Sequence, residues 1–158
     1  MTLLVPFDGS SLAEAALVRA SQFGTVLEES VIALSVIPQN NADYARDRSW
    51  IDSDEPFDLE TIVTRLRESV MALCPTAEFR YEVVDRYAPT GTIAQRVRKL
   101  AKEVGATMVF VGSENAGRLV ASVSSVGRGV ATDDAYDVVI IRSQNPRTIA
   151  ALRDDGSR

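Results

Sequence analysis

Residues 3–16, Leu3-Leu4-Val5-Pro6-Phe7-Asp8-Gly9-Ser10-Ser11-Leu12-Ala13-Glu14-Ala15-Ala16, hold a strand, a turn and the start of a helix in immediate succession. The run Leu3-Leu4-Val5 is short and continuously apolar, the pattern of a strand buried on both faces. Pro6 to Ser11 is rich in turn formers. Ser11 and Glu14 have the spacing of a capping box, which predicts a helix starting there. Leu12, Ala16, Val18 and Phe23 fall mostly along one stripe, and Gly24 reads as the C-terminal stop. A second β-rich run follows at Val31 to Ile37. Strand, helix and strand in this order imply parallel pairing through a right-handed crossover.

The same alternation continues to the C-terminus. Residues 38–57 are polar without a strong period, long for a connection, and read as a lid, a covering loop or a partly disordered segment. Tyr44, Trp50 and Phe57 within it can pin the loop to the core or close over an aromatic ligand. Asp58 is placed to cap a helix in which Leu59, Ile62, Val63, Leu66, Val70 and Leu73 recur at helical spacing. Phe79 to Val84 alternates like a sheet-edge strand with one wetter face. Thr90 or Thr92 can cap a helix carrying Ile93, Val97, Leu100 and Val104, stopped by Gly105. Met108 to Val111 is a buried strand ending in Gly112-Ser113. A helix is expected from about Ser125, a fifth strand at Val138 to Ile141, and a short terminal helix opened by Asn145-Pro146.

This order predicts an α/β fold: a five-stranded parallel sheet with helices on both faces, Rossmann-like. It fills one domain over residues 1–143, with a polar tail at 144–158, and no repeat or linker divides it. Ligands of such sheets bind outside the carboxyl ends of the strands, where strand order reverses. Asp8 and Gly112-Ser113 both fall at strand carboxyl ends, so neighbouring strands would bring them to one crevice.

Composition narrows the chemistry. Histidine is absent, which excludes a Ser-His-Asp triad, a Cys-His pair and an imidazole-built zinc site. Cys74 is the single cysteine, so no internal disulfide forms, and its place at a helix end favours burial as a small hydrophobe. No residue resembles a dedicated hydrolytic base, so no catalytic residue and no protein-held metal is predicted. The net charge of −5 disfavours nucleic acid and anionic lipid, and Arg96, Arg98, Lys99 and Lys102 read as a solvated helix face. No apolar run approaches the ~20 residues of a membrane span, and Met1 to Ser11 lacks the basic flank of a signal peptide. A cytoplasmic location without membrane attachment is expected.

Two blocks carry a resemblance. LLVPFDGSSLAEAA at 3–16 and GATMVFVGSENAGRLVASVSSVGRGVATDDAYDVVIIR at 105–142 are similar to the opening and closing parts of universal stress proteins. The resemblance implies the adenine nucleotide alpha hydrolase-like version of the fold, a stress-response role, and ATP, with magnesium, as ligand. It also implies a homodimer paired through the last strand, Val138 to Ile141. ATP binders of the family show glycine, two residues, glycine, nine residues, then glycine and serine or threonine, which lets backbone amides approach the phosphates. By this resemblance Asp8, led into by Pro6 and Phe7, and the backbone of Val36 would hold the nucleoside. Gly112, Ser113, Asn115, Ser124, Ser125 and Val126 would face the phosphates.

The pattern is incomplete. Asn115 and Ser124 stand where the second and third glycines belong, the loop is one residue short, and Glu114 adds a carboxylate. Arg118 and Arg128 are the nearby cations. Each site residue also has a plainer reading. Asp8 before Gly9 suits a turn, Gly112 a tight strand exit, and one of Ser122, Ser124 and Ser125 a helix cap. Gly127 and Gly129 sit oddly inside the expected last helix. Two alternatives follow: an interaction module of the same fold without nucleotide, and a nucleotide-hydrolysing enzyme using Asp8 to Ser11 as a phosphate loop. The second is the weaker, because that stretch lacks paired glycines.

Overall fold

β1 (Thr2–Pro6) is hydrophobic at every central position because the sheet continues on both sides of it and helices cover both faces. The computed structural model describes residues 1–89, 91–114 and 136–144. After β1 come α1 (Ser11–Leu27), β2 (Ser30–Pro38), α2 (Ala42–Asp47), α3 (Leu59–Leu73), β3 (Glu78–Val84), α4 (Thr92–Glu103), β4 (Ala106–Gly112) and β5 (Asp137–Ile141). The sheet order is β3-β2-β1-β4-β5, and every pairing is parallel. The chain thus winds outward from β1 in one direction, returns, and winds outward in the other. The reversal of direction lies between β1 and β4.

Two apolar layers result. On one face α1, α2 and α3 bury Ala16, Leu17, Ala45, Ile62, Leu66 and Val70 against Leu3, Val5, Ala33 and Phe110. On the other, α4 buries Ala94, Val97 and Leu100 against Leu4, Leu34, Val36, Val109 and Val111. The alternation of strand side chains divides β1 itself, with Leu3 and Val5 in the first layer and Leu4 in the second. Cys74 is buried in the first layer.

The local signals were read correctly in type and displaced in detail. Ser10, not Ser11, caps α1: its Oγ accepts from the Ala13 amide at 3.2 Å. Cap selection follows backbone conformation, and Ser10 is the extended residue, φ −68° and ψ 160°, just before the first turn. Gly24 does not end α1; the helix runs on to Leu27 and closes at Glu28 in the left-handed conformation, φ 56°. The glycine is needed because the exit folds back over it. A Cβ there would stand 2.8 Å from the Glu29 carbonyl oxygen, and the Gly24 carbonyl accepts the Glu29 amide at 3.0 Å. Gly105 does stop α4 as expected, with φ 63°. Asp58 precedes α3, where its carboxylate accepts from the Thr61 hydroxyl at 2.5 Å rather than from a helix amide. The segment 38–57 contains α2 and is packed down by Trp50 and Ile51. The expected last helix from Ser125 and the terminal helix at Asn145-Pro146 lie outside the described residues.

Candidate functional site

Because β1 and β4 pair directly, with Leu3 opposite Met108 and Leu4 opposite Val109, their carboxyl ends open side by side. At that place lies an open cleft, lined by residues including Pro6, Phe7, Asp8, Val36, Ile93 and Val111. Leu34, Tyr44, Arg48, Ala94 and Val97 complete its walls. The floor is aliphatic and comes from β1, β2, β4 and α4, whereas the polar groups stand on the turn after β1 and on α2.

The peptide groups of β2 explain why Val36 matters there. The Leu34 carbonyl accepts the Phe7 amide at 2.8 Å, so Leu34 turns its backbone toward β1. Two residues on, Val36 faces the same way. β1 has already ended at Pro6, opposite Leu34, and Val36 therefore directs its N–H and C=O past the strand end toward the cleft. Such an adjacent donor and acceptor on an apolar bed suit the edge of a heterocyclic base. Between these two residues Ser35, fully buried, donates to the Phe7 carbonyl at 2.6 Å and ties the end of β1 to β2.

Asp8 has a divided role. Its Oδ1 accepts the Ser10 amide at 3.0 Å, the local bond of an Asx turn that sets up α1. Its main-chain carbonyl accepts the Trp50 indole N–H at 2.7 Å. Oδ2 faces Arg48, whose Nε lies 4.0 Å away, an ion-pair separation longer than a hydrogen bond. The turn role of Asp8 is thus satisfied by one oxygen, the other faces Arg48, and the residue lines the cleft.

The Trp50 bond also decides the role of the aromatics. Trp50 is buried and clamps the 38–57 segment onto the β1 turn. Tyr44, one turn of α2 before Arg48, packs on Trp50 with ring centroids 5.6 Å apart and forms part of the cleft wall. Arg65 of α3 braces the segment from behind. It donates to the Trp50 carbonyl at 2.8 Å and meets both Glu55 carboxylate oxygens at 3.1 Å. This forked pairing holds the Glu55 carboxyl below the ordinary carboxylate range and raises the Arg65 guanidinium.

Of the residues expected at the site, Pro6, Phe7, Asp8 and Val36 are brought together. Gly112 ends β4 directly after Val111, but it turns toward α1, where a Cβ would stand 2.7 Å from the Leu12 Cβ. Ser113 follows it and is exposed. Asn115, Ser124, Ser125 and Val126 lie outside the described residues. Sequence reasoning missed Arg48 and the wall from Ile93 to Val97. The spacing Tyr44-x-x-x-Arg48 was the available signal, since residues four apart on a helix share a face. Among the described residues no cluster of His, Cys, Asp or Glu is arranged to hold a metal ion, and no helix is long and apolar enough to cross a membrane.

Comparison with known proteins agrees with this architecture. The Universal stress protein family model matches residues 1–142. Among solved structures, a universal stress protein in complex with cAMP is 27% identical, with TM-score 0.53, covering 90% of this chain and 97% of its own. The hypothetical protein MJ0577, whose biochemical function was assigned from its structure, is 20% identical with TM-score 0.54, covering 92% and 97%. A universal stress protein from Archaeoglobus fulgidus DSM 4304 is 18% identical with TM-score 0.50, covering 91% of this chain and 45% of that one. A search of curated proteins finds no match.

Proposed function

The chain belongs to the universal stress protein family, and from that premise we propose that it binds an adenine nucleotide in the cleft between Asp8 and Val36 without fast turnover. The observation that carries this reading is the β1 strand end. There an apolar floor, Val36 and Asp8 line a single cleft beside the end of β1. The base lies on Leu34, Val36 and Val97 in this reading, and its polar edge meets the Val36 peptide. Asp8 Oδ2 accepts from a ribose hydroxyl. The similar universal stress protein crystallised with cAMP lends support to an adenine nucleotide as ligand.

ATP is the nucleotide we assign, with magnesium carried on its phosphates, since Asp8 is the one carboxylate lining the cleft among the described residues. The phosphates would extend over Gly112 toward Ser125. Glu114 and Asn115 work against that arrangement, and they are the feature favouring a second reading, an interaction module of the same fold that holds no nucleotide. A cytoplasmic setting and pairing of two copies through β5 belong to the proposal in either case.

The deciding experiment is to purify the protein without added nucleotide, denature it and chromatograph what is released, then titrate ATP with magnesium by calorimetry. Stoichiometric adenine nucleotide, or micromolar binding, is the expected result. Neither release nor heat of binding with ATP, AMP or cAMP would leave the interaction module as the function. Phosphate release from ATP well above background would instead make the protein an enzyme.

A further inference from the structure

Arg48 is an arginine whose guanidinium finds no hydrogen-bond acceptor among the described residues. Its Nε is buried and has no hydrogen-bond partner among the described residues. The guanidinium carbon lies 3.7 Å from the centroid of the Tyr44 ring, and the nearest carboxylate oxygen, Asp8 Oδ2, is 4.0 Å from Nε. The side chain retains 30% of its exposure and forms part of the cleft wall. A guanidinium stacked on an aromatic ring has lost much of its orientational freedom, while its planar fork still offers several N–H donors. Such a group is preorganised for a phosphate or carboxylate, which it can meet through two parallel hydrogen bonds.

Its charge also matters to Asp8. A lone carboxylate beside a nucleotide repels the phosphate next to the ribose, and a cation a few ångströms away cancels that repulsion. On the reading given under Proposed function, which this inference deepens, we propose that Arg48 reads the phosphate nearest the ribose. It would make the cleft select nucleotides over nucleosides. Tyr44 is the positioning residue, because its ring fixes the plane in which the fork is presented. The selectivity then arises from α2 in the 38–57 segment, in addition to anything contributed by the loop after β4.

The test compares adenosine with AMP, using the intact chain and the variants Arg48→Gln, Arg48→Lys and Tyr44→Leu. The readout is the ratio of the two dissociation constants, which cancels any loss common to both ligands. The unmodified protein should bind AMP more tightly than adenosine. Arg48→Gln should cut that preference by about tenfold or more, since a charge-assisted hydrogen bond is lost, while adenosine affinity changes little. Arg48→Lys should recover part of the preference, and Tyr44→Leu should lower it with the arginine still present. Increasing salt should narrow the ratio in the unmodified protein more than in Arg48→Gln.

An unchanged ratio in a folded Arg48→Gln variant, verified by its urea midpoint, would overturn the role of Arg48 and leave the nucleotide reading intact. Adenosine bound as tightly as AMP by the unmodified protein would do the same. Failure of the unmodified protein to bind either ligand would overturn both.

Discussion

Gly112 at the end of β4 lies so close to Leu12 in the first turn of α1 that a Cβ on the glycine would stand 2.7 Å from the leucine Cβ. That contact gives the first glycine of the nucleotide-binding pattern a packing reason independent of any ligand. It also places the start of α1 directly against the strand end that borders the cleft. Ser10 caps that start, and Asp8 orients Ser10.

Gly112→Ala should therefore destabilise the protein even without nucleotide. The added methyl forces Leu12 and the first turn of α1 away from β4, an overpacking cost of about 1–3 kcal/mol. Urea unfolding measures it through the midpoint at unchanged slope. Leu12→Ala in the same chain leaves the leucine Cβ in place, so it should relieve only the part of the strain that its outer methyls prevent from relaxing. A Gly112→Ala protein as stable as the parent would show that the two elements separate freely, and the glycine would then have to be explained by a ligand.

Asp8→Asn separates the two roles of this residue. Asparagine retains a side-chain carbonyl that can accept the Ser10 amide, so the turn and the cap of α1 survive. What is removed is the negative charge on the cleft. Stability should change by less than about 0.5 kcal/mol, because the ion pair with Arg48 is long and partly exposed. Adenine nucleotide affinity should fall by about tenfold, the usual scale for a lost charged hydrogen bond. Calorimetric titration beside a urea series reads both. Equal affinity in the two proteins would remove Asp8 from the ligand and leave it a turn residue only.

The Glu55–Arg65 pair sets the acid sensitivity of the segment that carries Tyr44 and Arg48. The folded state holds the Glu55 carboxyl below its ordinary value of 4.5, chiefly through the forked bond with Arg65. The group's contribution is thus fully present above the unfolded carboxylate range and is lost as pH falls through the depressed folded value. Hydrogen exchange or limited proteolysis of residues 38–57 should show constant protection from neutral pH down to about 4.5, then increasing exposure below it. Glu55→Gln should weaken protection at neutral pH and remove that part of its acid dependence. Identical profiles for the two proteins would mean that Trp50 alone holds the segment in place.

Much of the fold was legible because several strands advertise their place, although β5 is continuously apolar and still lies at an edge. Leu3 to Val5 and Val109 to Val111 are continuously apolar and lie inside the sheet, whereas Phe79 to Val84 alternates and forms an edge. Asp8 and Gly112 were expected to converge only on the condition that their strands were neighbours; β1 and β4 do pair, and Asp8 lines the cleft while Gly112 turns toward α1. Arg48 was not legible. The four-residue spacing from Tyr44 puts Arg48 on the same helix face, but it does not say where that face lies, which depends on the Trp50 indole reaching the Asp8 carbonyl. The capping residue of α1 was off by one for a similar reason: Ser10 and Ser11 have the same chemistry, and only the backbone angles distinguish them. Gly24 misled because a glycine near a helix end can serve either as the stop or as the surface over which the exit folds.

β5 is the sheet edge opposite β3, and Ile140 on it is 44% exposed. A strand with one unpaired edge and an exposed apolar side chain is an association surface unless charge or proline blunts it. Residues 137–141 contain one charge, Asp137, at the end of the strand, and no proline. If two copies join there, as proposed, Ile140→Lys introduces like charges near the two-fold axis and removes apolar contact area. The substitution should shift the sedimentation coefficient from dimer toward monomer at micromolar concentration. The single-chain fold should persist, because Ile140 contributes little to the buried layers. Adenosine and AMP affinities should stay within about twofold of the parent, since the cleft is built from β1, β2, β4, α2 and α4 and β5 supplies none of its lining. A monomeric parent would overturn the proposed pairing, and a variant that stays dimeric would place the assembly surface elsewhere.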